Sequence, residues 1–152
     1  MIRYSQVKDM LEQVRDVHGQ LVLYYDRLSK EAEQRRVKML LDHMSKHEQD
    51  LQDGLRAYEE TATQGVMDTY VDCKYCDEIL VTCKQTPIAP ETSVEGVIRV
   101  AMDVDNCLLR FFRESAEHAE TERVRDVFKN LVDMEESELR KLAMNALLAM
   151  DY

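Results

Sequence analysis

The chain has 152 residues, of which 45% are apolar and 33% charged, with four Gly, two Pro and no Trp. That is enough for one domain with a real core, and so few breakers favour helix. A formal charge of -10 repels phosphate backbones and anionic lipid, so neither nucleic acid nor a membrane is an expected partner.

The first ten residues, MIRYSQVKDM, contain no apolar leader stretch. No apolar run approaches the roughly 20 residues of a membrane span. The expected compartment is therefore the cytoplasm, where the four cysteines would remain thiols. The first helical stripe then follows. Val7, Leu11, Val14, His18, Leu21, Tyr25 and Leu28 alternate in steps of four and three, which is one helix face. A second stripe runs through Val37, Leu41, Met44, Glu48, Leu51, Leu55 and Tyr58. No Gly or Pro separates the two. They are either a hairpin turning near Ser29–Gln34 or one continuous helix from about Ser5 to Tyr58, which would imply an intertwined dimer.

From about 61 to 93 the pattern breaks down. Gly65, Pro87, Pro90 and Gly96 punctuate this stretch or its ends, and Cys73, Cys76 and Cys83 fall inside it. It reads as a crossover, with a short helix around Val66–Val81. Cys73 and Cys76 form a CxxC, which is either a redox pair, part of a thiolate metal site with Cys83, or small apolar filler under the crossover. Beyond it, Val94, Ile98, Ala101, Asp105, Leu108, Phe112, Ser115 and Ala119 form a third stripe. Cys107 falls off that stripe and is expected to be inert. The fourth stripe is Val124, Phe128, Leu131, Glu135, Glu138, Leu142 and Asn145, with Thr121 placed to cap its start.

The two halves echo each other at one constant offset. Tyr24 to Val37, YYDRLSKEAEQRRV, aligns with Phe111 to Val124, FFRESAEHAETERV. Asp16, Val17, Leu21, Ala32, Glu33, Arg36, Val37 and Glu48 recur as Asp103, Val104, Leu108, Ala119, Glu120, Arg123, Val124 and Glu135. The expected fold is all-α: an antiparallel four-helix bundle of two repeated hairpins, about 5–58 and 94–148, joined by the cysteine-containing crossover.

Polar residues interrupt every stripe: His18, Glu48, Asp105, and the pair Glu135 and Glu138. The first four each lie about 15 residues from their hairpin turn, or about 22 Å up the helix. They should meet in one layer, with Glu138 one turn from Glu135. Burying several carboxylates costs several kcal/mol unless they are protonated or a cation neutralises them. Oxygen and imidazole donors suit iron or manganese, with zinc ranked behind them.

Here the chain resembles the ferritin-like superfamily, nearest its rubrerythrin branch. His18 with Tyr25, and Asp105 with Phe112, fall on that family's pattern of Glu with an aromatic seven residues on. Glu48 with Leu51, and Glu135 with Glu138, fall on its Glu-x-x-His. Only Glu48 and Glu135 match strictly; His18 replaces Glu, Asp105 is a shorter acid, Glu138 replaces His, and Leu51 cannot ligate. The resemblance implies one or two iron or manganese ions held by His18, Glu48, Asp105, Glu135 and Glu138. It further implies a role in iron handling or oxidative defence, with slow oxidase- or peroxidase-type chemistry, and a homodimer. The rival reading is a scaffold or interaction protein whose metal site has decayed into a polar network. His43 and His47 share i, i+4 spacing but have solvated neighbours, so a surface position is expected; His118 is expected to cap the end of its helix.

Overall fold

The computed structural model describes residues 4–85 and 93–150. Helix α1, Val7–Glu31, turns through Ala32–Gln34 into α2, Arg35–Thr61. Helix α5, Val94–His118, turns through Ala119–Thr121 into α6, Glu122–Met150. Both connections are too short for anything but antiparallel neighbours, so residues 5–58 are a hairpin and not a single rod. Ser45 Oγ donates to Asp26 at 2.6 Å, and Arg15 pairs with Glu59 at 3.0 Å, fixing the register of the first hairpin. Arg113 and Glu136, 2.6 Å apart, do the same for the second.

Side chains satisfy free amides at the starts of α5 and α6, whereas α1 and α2 begin without a side-chain cap. Ser93 Oγ accepts from Gly96 N, and Thr121 Oγ1 accepts from Val124 N, as the sequence predicts for Thr121. The core is built from the apolar stripes of α1, α2, α5 and α6. Tyr25, Phe111, Phe112, Phe128, Met10 and Leu11 are among its fully buried large members. Leu51 is buried among them.

The crossover departs from expectation. In place of one helix around 66–81 there is a single turn, α3 (Gln64–Met67), then a strand β2 (Tyr70–Asp72), then α4 (Lys74–Lys84). The cause lies at the other end of the chain: β1, Tyr4–Gln6, pairs antiparallel with β2, Ser5 opposite Val71. Val71 turns inward between exposed Tyr70 and Asp72, the alternation of a half-buried strand. Val7 N continues the ribbon with a bond to Thr69 O at 3.0 Å. Helix α4 packs on α5 and also touches α1. Pro87 and Pro90 lie outside the described residues.

A second correction concerns the thiols. Cys73 is joined to Cys76, and Cys83 on α4 to Cys107 on α5, leaving no free cysteine among the described residues. Cys107 is thus tied to α4, not inert. Its position off the main stripe of α5 is what turns it toward that helix. Among the described residues, no helix is long and apolar enough to cross a membrane.

Phe128 has no exposed surface and lies in the second turn of α6. Phe128→Ala is expected to cost about 3–5 kcal/mol, read as a lower urea midpoint with an unchanged slope.

Candidate metal centre

Each of the four long helices contributes one buried histidine or carboxylate to a central layer: His18 from α1, Glu48 from α2, Asp105 from α5 and Glu135 from α6. All four are essentially without solvent exposure. Ligand atoms of His18, Glu48 and Asp105 lie within 4.8 Å of one another. His18 Nδ1 sits 2.5 Å from Glu48 Oε2, and Nε2 sits 3.3 Å from Glu135 Oε1. The second contact is an ion pair without hydrogen-bond alignment. The common height expected from helix rise is therefore met.

The layer is electrostatically incomplete. Asp105 Oδ1 and both carboxylate oxygens of Glu135 are buried with no hydrogen-bond partner among the described residues. The Tyr25 hydroxyl is buried and unpartnered too, and Tyr25 shares a cleft with Glu48 and Asp105. Such groups normally find a partner, because leaving a buried polar atom unsatisfied costs about 1–3 kcal/mol, and more for a charged one. Oxygen donors aimed at a shared space beside an imidazole fit a hard or borderline divalent ion.

Proton affinities follow from the same crowding. Burial disfavours a charged His18, but the Glu48 and Glu135 carboxylates outweigh it and hold the imidazole pKa well above its ordinary 6.5. Asp105 is pushed well above the ordinary 3.8, by burial first and then by the charges of Glu135 and Glu48. Tyr25 is raised by burial and then by Glu48 and Asp105. The unliganded layer therefore favours extra protons, which a cation would replace.

Glu138 does not join the buried four. It stands at the margin, partly exposed, in contact with His47 Nε2 and with Lys141 Nζ at 3.5 Å. Its charge nevertheless reaches Asp105. His47 thus corrects the expectation of a plain surface residue: it is half-buried and turned to α6, while His43 is exposed and meets Asn145 Nδ2 at 3.1 Å. These two histidines, with Asn145, line the outer part of the cleft that reaches Glu48 and Asp105. The i, i+4 spacing of His43 and His47 was the available signal; their polar neighbours masked it. His118 ends α5 as expected, with Nδ1 3.0 Å from the Glu114 carbonyl.

Four long helices in two hairpins, joined by a crossover and each giving one polar residue to a central layer, make this a ferritin-like fold. The chain is similar to a solved structure from Thermotoga maritima, at 2.30 Å resolution, described as a candidate ferritin-like diiron-carboxylate protein. The two share 17% identity at a TM-score of 0.61, covering 93% of this chain and 95% of that one. No protein-family model matches the sequence, and neither does any curated protein.

The proton affinities carry a sign. A raised histidine pKa stabilises the fold below the unfolded value of about 6.5 and loses that contribution as pH rises through the folded value. A raised carboxyl pKa destabilises as pH climbs above the unfolded 3.8. Both act in one direction, so the chelator-treated protein should melt at progressively lower temperature from slightly acid to mildly alkaline buffer. Asp105→Asn should raise the alkaline melting point and flatten the slope, as calorimetry can test.

Proposed function

We propose that the buried layer is a metal centre, and that the protein handles iron or manganese. His18, Glu48, Asp105 and Glu135 would be the principal ligands, with Glu138 as a terminal or shifting one. The observation that carries this reading is the set of orphaned buried oxygens on Asp105 and Glu135 beside the His18 imidazole. The neighbour described as a diiron-carboxylate protein supports it by analogy of fold.

When bound, an iron or manganese ion would supply redox chemistry toward oxygen or peroxide. The chain's own residues do the rest. Glu48, Asp105 and Glu135 give negative charge and hard oxygen donors. His18 gives one nitrogen and must release its extra proton to use it. Tyr25 places a hydroxyl beside Glu48 and Asp105, able to donate a hydrogen bond at a ligand oxygen. The surrounding Leu, Phe and Met side chains exclude bulk water. His47 holds Glu138 at the margin, so that carboxylate can swing inward only by leaving the histidine. Because Leu51 offers no donor, the site would be lopsided and any oxidase- or peroxidase-type turnover slow. The physiological role we assign is iron handling or oxidative-stress defence.

A second reading has its own support. His18 and Glu48 already satisfy one another at 2.5 Å, as a self-contained polar network would. The protein would then act as a non-catalytic ferritin-like scaffold.

Quantifying iron, manganese and zinc on protein purified without chelator separates the two. The metal reading expects stoichiometric iron or manganese, lost in both Glu48→Ala and Glu135→Ala. It also expects added Fe²⁺ or Mn²⁺ to stabilise the metal-free chain by about 3–4 kcal/mol at a hundred to a thousand times Kd. A metal-free parent whose melting temperature ignores both ions would leave the scaffold reading standing.

A further inference from the structure

The two disulfides differ in what they can do for the fold. Cys83–Cys107 closes a loop with a sequence separation of 24 and ties α4 to α5. It works as a staple, because the unfolded chain loses much freedom when a long loop is closed. Cys73–Cys76 has a separation of 3 and lies within one turn that the helix already fixes. Closing so short a loop removes little unfolded-state entropy, so stapling does not account for it.

Its surroundings do account for it. Cys73 is the N-cap of α4, and its Sγ accepts the Cys76 amide N–H at 3.0 Å. Sulphur at that point sits on the positive end of an 11-residue helix, where a thiolate is stabilised. A ring nitrogen of His118, the last residue of α5, lies within 4.8 Å of both sulphurs. His118 itself is exposed to solvent. Both cysteines are buried, Cys76 completely and Cys73 with 5% of its surface exposed, so Cys73 is the less sheltered of the two. Between them Tyr75 faces out, with the Arg110 guanidinium 5.2 Å from its ring centroid. The β1–β2 ribbon ends at Asp72 and delivers Cys73 to this position.

We propose that Cys73 and Cys76 form a redox-active dithiol–disulfide centre that exchanges two electrons with an external dithiol. This inference does not draw on the metal reading. In the reductive direction a thiolate of the external dithiol attacks Cys73 Sγ. A new S–S bond forms to Cys73, and the Cys73–Cys76 bond breaks. Cys76 leaves as a thiolate and takes a proton from His118 or from water. The second thiol of the reductant, deprotonated, then attacks the reductant's own sulphur in the mixed disulfide, closing its disulfide and releasing Cys73 as a thiolate held by the α4 amides. The external dithiol is oxidised and the protein pair is reduced by two electrons; the dithiol's two thiol protons go to solvent, Cys76 takes up one, and Cys73 remains a thiolate.

The test uses the whole chain in buffered mixtures of reduced and oxidised dithiothreitol, quenched with acid. Thiols are then alkylated and mapped by mass spectrometry, with circular dichroism recorded alongside. Cys73–Cys76 should interconvert reversibly in the folded protein, opening at least about tenfold faster than Cys83–Cys107. Offered oxidised glutathione, whose monothiol cannot cyclise, Cys76→Ser should accumulate a mixed disulfide on Cys73, and Cys73→Ser should form none on Cys76. Opening of Cys73–Cys76 no faster than of Cys83–Cys107, or only as helicity is lost, would overturn the proposal. So would stoichiometric zinc on the reduced chain that Cys73→Ser removes, since the cysteines would then be metal ligands.

Discussion

Everything about this bundle turns on the cost of putting carboxylates where hydrocarbon belongs. Glu48, Asp105 and Glu135 occupy core positions on three helices, and His18 occupies one on the fourth. A bundle optimised only for stability would place Leu at each, because replacing a buried charge cluster with well-packed apolar residues is often neutral or stabilising. The phenyl and aliphatic groups around the layer, Phe111, Phe112, Phe128, Leu21 and Leu108, supply the burial that tolerates it. Stability is thus spread over the apolar tiers, while the polar tier is a local deficit that a cation or extra protons must offset.

The two halves differ beside this layer. In the second half Glu135 and Glu138 stand one turn apart; in the first half the turn after Glu48 carries Leu51. Leu51 is packed into the core, and the polar function that might have stood there is found one residue before Glu48, on His47. His47 reaches across to Glu138 instead of inward. The histidine–carboxylate contact thus lies at the rim of the layer and not inside it.

Much of this was legible in the primary structure, for identifiable reasons. Long amphipathic stripes report helices well, and Glu48, Asp105 and Glu135 announce themselves by breaking stripes that are otherwise apolar. Equal distance from two turns then fixes their common height, since helix rise is constant. What escaped was whatever depends on tertiary contact alone. Tyr4–Gln6 and Tyr70–Asp72 are three residues each, too short for alternation to register, and each becomes a strand because the other is there. Cys83 and Cys107 carry no mutual signal in sequence; only the packing of α4 on α5 brings their Cα atoms to 5.6 Å. His47 is oriented by its approach to α6, which no count along α2 reveals.

The cleft between His43, His47, Glu48 and Asp105 encloses room for about one water molecule. A space that small suits a bare ion or a molecule of two or three atoms, and no sugar, nucleotide or peptide fits within it.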